Sequence, residues 1–300
     1  MYDIIIVGAG PSGLTAAIYA LRSGKSVLIF EKEAYGGQIS KSENVENYPS
    51  IKSISGMEFS QNLYNQAKDF GCEFAKKEVL QVIDGEIKIV KTKNAEYEAK
   101  AIIFALGAKP RQAGLKNEDK LIGRGLSYCA VCDGAFFRNR VVAIVGGGNT
   151  AVQDAIYMAG ICEKVYIIHR RDEFRAEVGL VEKLKTLDNV ELVLDSVLSN
   201  AVASPILKTI SVKNVKTDEE KTLEVSGLFV AIGQVPQTKN FADILPLDDG
   251  GYVKTDETCK VKSGVYVCGD CRVKTIRQLT TAVSDGSIAG INALEFCNEH

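Results

Sequence analysis

Two cysteines separated by two residues, Cys129 and Cys132, offer the most specific chemistry in this sequence, and an acid, Asp133, follows them directly. Their spacing suits a disulfide that closes with little rearrangement of the chain, and it also suits half of a four-thiolate zinc site. Cys268 and Cys271 repeat the spacing near the other end of the chain. The pattern alone therefore leaves three meanings open: a redox couple, a metal site, or cysteines that only pack in a core.

The composition narrows the class of protein. Three hundred residues suit two domains, and a net charge of −2 gives no basic surface for nucleic acid. No apolar run reaches the roughly 18 residues that span a bilayer, and the chain begins with a strand pattern instead of a signal peptide. We therefore expect a cytoplasmic protein, in which a close cysteine pair is catalytic or metal-binding more often than structural.

An internal repeat supplies the elements that must position these cysteines. The segment "DIIIVGAGPSGLTAAIYA" from Asp3 aligns without gaps with "VVAIVGGGNTAVQDAIYM" from Val141, and "SVLIFE" from Ser26 aligns with "KVYIIH" from Lys164. Each copy reads strand, glycine turn, helix, strand, which is the start of a doubly wound dinucleotide-binding domain. The turn positions that allow a tight bend, close approach of a pyrophosphate and helix packing are Gly8, Gly10 and Gly13 in the first copy, and Gly146, Gly148 and Ala151 in the second.

The end of the second strand distinguishes the two copies. In the first copy it is Glu31, which can accept hydrogen bonds from ribose hydroxyls and would repel a 2′-phosphate. In the second copy it is His169, followed by Arg170, Arg171 and Arg175, three guanidiniums that could cradle a 2′-phosphate. A solvated charged surface is the alternative interpretation of this run. We expect FAD at the first site, because a flavin can accept a hydride and reduce a disulfide, and NADPH at the second.

Such a relay gives the cysteine pair a function. A free thiol is only a few per cent ionised at neutral pH, so the site must lower the pKa of the thiol or supply a base, and Asp133 is placed to act as general acid and base. The zinc interpretation is weaker, because a whole predicted domain separates the two pairs, whereas zinc-binding pairs usually lie about 15–20 residues apart. We predict no metal site, and we interpret Cys268 and Cys271 as packed residues.

The whole chain resembles the low-molecular-weight, bacterial-type NADPH-dependent thioredoxin reductases. The segments that carry this resemblance are "GAGPSGLTAAIYA", "GGQISKSENVENYP", "GRGLSYCAVCDGAFFRN", "VVAIVGGGNTAVQDAIYM", "HRRDEFRAE", "GVYVCGDCR" and "RQLTTAVSDG", in the order of the family. The resemblance implies that Cys132 is the thiol nearest the flavin. It implies that Cys129 attacks the disulfide of the partner and that Asp133 is the acid and base.

The resemblance also implies the residues that contact the two cofactors. For FAD they are Gly8, Gly10, Pro11, Ser12, Gly13, Glu31, Lys32, Gly36, Gly37, Gln38, Asn47, Val79, Gly269, Asp270, Arg277, Gln278 and Leu279. For NADPH they are Gly146, Gly148, Asn149, Thr150, His169, Arg170, Arg171, Arg175 and Gly233.

The family fold is α/β, with two Rossmann-like, three-layer dinucleotide-binding domains, one inserted in the other. The repeated Gly-x-x-Pro segments at 107–110 and 233–236 each follow a closing strand and suit paired crossings between domains. We place the FAD-binding domain at 1–112 and 239–300 and the NADPH-binding domain at 113–238. The dithiol then shares a domain with NADPH, so rotation at the crossings would bring each to the flavin in turn.

The expected function is electron transfer from NADPH through FAD and the Cys129–Cys132 disulfide to thioredoxin or a thioredoxin-like protein, by a homodimer. The alternatives are a flavin reductase of the same fold that acts on ferredoxin, oxygen or a quinone, and a zinc-stabilised interaction module.

Overall fold

The chain divides into two structural units. The structure, a computed structural model, describes residues 1–300. The first unit consists of Met1–Lys109 and Val235–His300, and the second consists of Pro110–Gln234. The second unit is therefore inserted in the sequence of the first. The expected boundaries, after residues 112 and 238, lie a few residues further along the chain.

The first unit contains three helices and most of the strands. In chain order its elements are β1 (Tyr2–Val7), α1 (Pro11–Leu21), β2 (Val27–Glu31), α2 (Gly56–Asp69), β3 (Glu73–Lys76), β4 (Gln81–Ile83), β5 (Lys88–Lys91), β6 (Glu96–Phe104) and β7 (Ala108–Pro110), which leads into the second unit.

The second unit has its own sequence of alternating strands and helices. Its elements are β8 (Leu126–Ser127), α3 (Ala130–Asp133), β9 (Val141–Val145), α4 (Asn149–Ala159), β10 (Lys164–Ile168), α5 (Val178–Lys185), β11 (Val190–Val193), β12 (Ser196–Ala203), β13 (Leu207–Asn214), β14 (Glu220–Glu224) and β15 (Gly227–Val230). The chain then returns through β16 (Gln234–Pro236) to β17 (Lys260–Lys262), β18 (Val265–Val267) and α6 (Leu279–Glu299).

An eight-stranded sheet forms the centre of the first unit. Its main path runs β17-β18-β6-β1-β2-β3, and the strands from β18 to β3 are parallel to their neighbours. Successive side chains of a strand point to opposite faces, so Ile4 and Ile6 pack in one core and Ile5 and Val7 in the other. A strand that is buried on both faces explains the unbroken apolar run at the start of the sequence.

Helices α1 and α6 of the first unit pack closely because glycines lie at their contact. A Cβ at Gly286 would lie 2.3 Å from the carbonyl oxygen of Ser12, and one at Gly290 would lie 2.7 Å from that of Ala16. Both distances are shorter than any real contact, so these positions of α6 need glycine for α6 to lie against α1. The contact fixes the start of α1, where the first glycine turn ends.

The second unit repeats the strand–turn–helix arrangement of the first. Its five-stranded sheet runs β11-β10-β9-β15-β8, and every neighbouring pair is parallel. Helix α4 has eleven residues, as α1 has, and each follows the glycine turn of its copy. The additional antiparallel sheet β12-β13-β14 has no counterpart in the internal repeat. The predicted α/β class, with two nucleotide-binding folds, is confirmed.

The two crossing segments pair with each other. Strands β7 and β16 form a two-stranded sheet. The Gln237 N–H donates to the Gly107 carbonyl at 3.1 Å, and the Arg111 N–H donates to the Gly233 carbonyl at 2.9 Å. Gly107 has a φ of 66° and Gly233 a φ of 101°, values that favour glycine.

Candidate active site and nucleotide-binding motifs

The first glycine turn has the close approaches that such a motif requires. A Cβ at Gly8 would lie 2.3 Å from the carbonyl oxygen of Ala105, and one at Gly13 would lie 2.0 Å from that of Gly8. A Cβ at Gly10, in contrast, would meet nothing within 4 Å, so the backbone is open there. Gly10 is the N-cap of α1 and makes no side-chain capping bond, which leaves the first N–H groups of the helix available to a phosphate.

Glu31 lies beside this turn. One carboxylate oxygen accepts a hydrogen bond from the Ala9 N–H at 2.9 Å, and the other accepts one from the Glu33 N–H at 2.9 Å. These two bonds hold the Glu31 side chain at the carboxyl end of β2, the position expected for a ribose contact. Lys32 has a different environment, because its ammonium lies 3.4 Å from Glu78 in an exposed ion pair.

The loop after β2 folds back onto the glycine turn. The Gly36 N–H donates to the Ala9 carbonyl at 2.8 Å, and a Cβ at Gly37 would lie 3.3 Å from the Cα of Gly10. Gln38 follows in the short 3₁₀ helix Gly37–Lys41. Further along, the Asn47 amide lies 3.4 Å from the Gln278 side chain, so the loop and the start of α6 meet.

Three further predicted FAD contacts lie in different parts of the first unit. Ser12 and Val79 are buried, Val79 in a core of the sheet, so the Val79 side chain packs against protein. Leu279 is the first residue of α6, which Gln278 caps together with Thr281.

Asp270 carries a buried oxygen that lacks a partner. Its Oδ1 is enclosed without a hydrogen bond, and burial raises the pKa of the carboxyl. A buried unsatisfied acceptor is costly, and a hydroxyl-bearing ligand would satisfy it. Together with the open backbone at Gly10, this acceptor makes the first unit fit FAD, whose ribityl chain has such hydroxyls.

Asp285, which the sequence did not single out, holds the Asp270 turn in place together with the predicted contact Arg277. The Gly269 N–H donates to Asp285 Oδ2 at 3.0 Å, and Asp285 also pairs with Arg272 at 2.8 Å and Lys274 at 2.7 Å. The Arg277 guanidinium donates to the Asp270 carbonyl at 3.1 Å and lies over the Tyr252 ring, 4.1 Å from its centre. The network joins Asp285 of α6 to residues of the irregular segment before that helix, so no local pattern in the sequence indicates it.

The second glycine turn has the same design. A Cβ at Gly146 would lie 2.4 Å from the carbonyl oxygen of Ala231, whereas one at Gly148 would meet nothing within 4 Å. No side chain caps α4 at Gly148, and Thr150 is exposed in its first turn. Asn149 is tied to Glu177 by two hydrogen bonds of 2.9 and 2.8 Å, which bring the loop before α5 to the start of α4.

The arginine segment lies against this turn. The Arg175 N–H donates to the Gly147 carbonyl at 2.7 Å. Arg170, Arg171 and Arg175 are exposed, and no carboxylate pairs with their guanidiniums. A cluster of unpaired positive charge beside an open helix start fits the 2′-phosphate and pyrophosphate of NADPH.

His169 has a structural position within this segment. Its ring is buried and stacks on Phe174, and its Nε2 lies 3.1 Å from the backbone carbonyl oxygen of Glu173. A Cβ at Gly147 would lie 2.1 Å from this ring, so the imidazole packs directly on the glycine turn. Burial lowers the pKa of His169, and the three arginine charges lower it further. His169 therefore supports the nucleotide loop as a neutral side chain at neutral pH.

Cys129 and Cys132 are joined in a disulfide. Cys129 caps the single turn α3, and its sulfur accepts a hydrogen bond from the Cys132 N–H at 3.2 Å. After reduction, the same donor would stabilise a thiolate on Cys129. Cys132 is exposed and Cys129 is half-buried. The bond between the two sulfurs fits a redox couple, whereas a zinc site would need both sulfurs as thiolates.

Two residues that the sequence analysis missed hold the cysteine segment. The Ser127 hydroxyl donates to the Asp133 carboxylate at 2.5 Å. The buried Glu118 carboxylate accepts from the backbone N–H groups of residues 113–115 and from the Tyr128 hydroxyl at 2.6 Å. Residues 127 and 128 are thereby fixed immediately before Cys129.

The other cysteines are thiols buried in the cores. Cys268 and Cys271 have no exposed surface, and burial raises the pKa of Cys271 to about 11 and that of Cys268 well above its ordinary value. The remaining free cysteines, Cys72, Cys162, Cys259 and Cys297, are buried as well. No group of three or more His, Cys, Asp or Glu side chains is gathered as a set of metal ligands. None of the helices, α6 with its 21 residues included, has both the length and the apolar composition of a membrane span.

Comparison with known proteins gives matches over the whole chain. The family model described as pyridine nucleotide-disulphide oxidoreductase matches residues 2–286. A thioredoxin reductase of Listeria innocua is 41% identical over 303 residues, which cover 100% of this chain and 95% of the relative. One of Bacillus subtilis is 39% identical over 302 residues, which cover 100% and 96%.

A solved structure agrees with these relatives. The crystal structure of thioredoxin reductase from Streptococcus pyogenes is 40% identical, covers 100% of this chain and 99% of its own, and superposes with a TM-score of 0.96. With both glycine turns, the redox disulfide and similarity over its whole length, the chain belongs to the pyridine nucleotide-disulphide oxidoreductase family, among the thioredoxin reductases.

Proposed function

We propose that this enzyme transfers reducing equivalents from NADPH, through FAD and the Cys129–Cys132 disulfide, to the disulfide of a thioredoxin. The observation that carries the proposal is the position of this disulfide. It closes a capped turn just before β9 in a unit of dinucleotide-binding fold, and an acid follows it. The relatives that match over the full length are named thioredoxin reductases.

We assign residues 1–112 and 239–300 to the FAD-binding domain. The phosphates of FAD would lie at the start of α1, beside Gly10, and its ribose would lie against Glu31. Asp270 Oδ1 supplies the buried acceptor for the ribityl chain. When bound, FAD accepts a hydride from NADPH and gives an electron pair to the disulfide.

We assign residues 113–238 to the NADPH-binding domain. The start of α4 at Gly148 would hold the pyrophosphate, and Arg170, Arg171 and Arg175 would hold the 2′-phosphate. The support for this assignment is the unpaired state of the three guanidiniums and the neutral His169 that packs beneath the turn. The 2′-phosphate is the group that distinguishes NADPH from NADH, so these arginines would set the preference.

The protein disulfide is reduced in two exchange steps. The Cys129 thiolate attacks one sulfur of the thioredoxin disulfide; that S–S bond breaks, a mixed disulfide forms, and the leaving thiolate takes a proton that Asp133 supplies. The Cys132 thiol then loses its proton to Asp133 and attacks the Cys129 sulfur, which restores the Cys129–Cys132 bond and releases the second thioredoxin thiolate. The electron pair of the dithiol has then passed to thioredoxin.

The crossings β7 and β16 are the proposed hinge between the half-reactions. The support is that only these two segments join the units and that Gly107 and Gly233, which have positive φ, flank them. A Cβ at either glycine would meet nothing within 4 Å, so the space beside each glycine is open.

The assembly and the compartment are further parts of the proposal. We propose a homodimer on the basis of the family resemblance. We propose the cytoplasm because six of the eight cysteines are free thiols, as a reducing compartment would keep them.

The test of the function measures two activities of the same variants. In Cys129→Ser and Cys132→Ser, NADPH should still reduce the bound flavin, followed by its absorbance, while reduction of thioredoxin should be lost. Cys162→Ser, a buried free cysteine of the same unit, is the matched control and should retain both activities. Thioredoxin turnover that survives in the two active-site variants would refute the path through this disulfide, whereas an original enzyme that reduces its flavin but not thioredoxin would favour a flavin reductase with another acceptor.

A further inference from the structure

Ser127 stands between the two functional groups of the cysteine segment. It is the last residue of β8, it is buried, and its strand pairs with β15 in register with Phe229. Its hydroxyl oxygen lies 2.5 Å from Asp133 Oδ2 and 3.0 Å from the Cys129 backbone nitrogen. The side chain therefore contacts the proposed acid and base as well as the backbone of the proposed attacking cysteine.

The two contacts use the hydroxyl in both of its roles. A serine hydroxyl has one hydrogen to donate and two lone pairs that accept. The hydrogen goes to Asp133, because the alternative acceptor, the Cys129 carbonyl, lies farther away at 3.4 Å. The oxygen accepts the Cys129 N–H. Whenever Asp133 is ionised, this bond is charge-assisted, which is the stronger class of hydrogen bond.

This pair of bonds closes the turn that contains the disulfide. Asp133 ends α3, whose start is capped by Cys129. Because Ser127 bonds to both ends of this turn, it connects the Asp133 carboxylate to β8, the edge strand of the five-stranded parallel sheet. A carboxylate that transfers a proton must lie within hydrogen-bond reach of the reacting sulfur, so its orientation affects the rate.

We propose that Ser127 is a positioning residue for the acid and base Asp133, which it orients toward the cysteine sulfurs by donating to Oδ2. The proposal rests on the proposed function, since it deepens the role given there to Asp133. The Ser127 hydroxyl keeps its own proton throughout; the proton that moves travels between the dithiol, Asp133 and the leaving thiolate of thioredoxin.

The test compares Ser127→Ala with Ser127→Thr, using thioredoxin as substrate. Loss of the hydroxyl should lower kcat about tenfold, which is part of the roughly 10²–10⁴-fold rate enhancement that a general acid and base contributes. The KM for thioredoxin should stay within about twofold of its original value. Reduction of the flavin by NADPH, measured by stopped flow, should not change. Threonine retains the hydroxyl and should restore most of kcat.

A matched control separates this effect from the loss of any buried hydroxyl. Ser196 is buried in the same unit, and its hydroxyl donates to the Leu194 carbonyl at 2.8 Å. Ser196→Ala should lose stability to a similar extent as Ser127→Ala, by thermal unfolding, but should retain kcat.

Asp133→Asn distinguishes failure of the inference from failure of the proposed function. Normal thioredoxin turnover in Asp133→Asn would remove the acid-and-base role itself. A slow Asp133→Asn together with a normal Ser127→Ala would overturn the inference alone. In the double variant the two effects should not multiply, because Ser127 acts through Asp133; a rate equal to the product of the single losses would also overturn it.

Discussion

The arginine cluster at the second nucleotide site allows the sharpest quantitative prediction. Arg171→Ala removes one of three exposed guanidiniums that no carboxylate of the protein neutralises. Its backbone position should persist, because the Arg171 carbonyl accepts the Asp195 N–H at 3.2 Å and the following segment is tied to the glycine turn by Arg175. The substitution therefore changes charge and hydrogen bonding without releasing the loop.

The size of the effect follows from this exposure. A hydrogen bond to a charged group contributes about 1.5–3 kcal/mol, which is about ten- to one-hundred-fold in affinity. Water reaches all three side chains and two guanidiniums remain, so we expect the lower end, about tenfold in the KM for NADPH. The kcat should stay near its original value, because the 2′-phosphate lies remote from the hydride that is transferred. NADH lacks this phosphate, so its kinetics should hardly change.

The assay is the ratio of kcat/KM for NADPH to that for NADH, measured with thioredoxin in excess. Arg124→Ala, an exposed arginine of the same unit, is the matched control and should leave the ratio unchanged. The pKa of His169 gives an independent readout, because Arg171 is one of the charges that lower it; the pKa should rise in Arg171→Ala, by NMR titration. An unchanged cofactor ratio in Arg171→Ala would refute the assignment of the phosphate site.

Three further predictions concern single side chains. Burial raises the pKa of Asp154 to about 6, so the free energy of unfolding falls as pH rises from about 4 through about 6. Compared with the original protein, Asp154→Asn should raise the free energy of unfolding by at most about 3 kcal/mol at about pH 8 and should not change it below about pH 4, as measured by urea unfolding. Asp270→Asn should retain the fold but release FAD about tenfold more readily, by the fluorescence of freed flavin, and unchanged retention would contradict its contact with the cofactor. Gly8→Ala should abolish FAD binding while leaving the second unit able to bind NADPH, because its Cβ would lie 2.3 Å from the Ala105 carbonyl; FAD retained at normal affinity would contradict this.

The features that the sequence predicted are those that local patterns determine. The glycine turns, the strands on either side of them and the buried apolar run at Ile4–Val7 follow from residue types and spacing, and the structure has them at those positions. Glycine is needed at Gly8 and Gly146 because of backbone atoms that lie far away in sequence. The short glycine motif nevertheless identifies both positions from neighbouring residues alone.

The features that the sequence missed depend on contacts between distant segments. Nothing near Gly269 indicates that Asp285 will accept its N–H, because the partner is supplied by a helix that begins further along the chain. Ser127 and Glu118 looked like ordinary polar residues, and only the tertiary fold shows that each is buried with several partners. The sheet β12-β13-β14 also escaped prediction, since its strands lack a distinctive motif.

The identity of the attacking thiol is the central chemical claim, and trapping the mixed disulfide tests it most directly. The Cys132→Ser variant, reduced and mixed with an oxidised thioredoxin, should form a covalent complex that the missing second thiol does not resolve. Peptide mapping should place its intermolecular disulfide at Cys129. A complex joined through another cysteine of this chain, or thioredoxin turnover by the variant without any Cys129 adduct, would contradict the proposed path of the electrons.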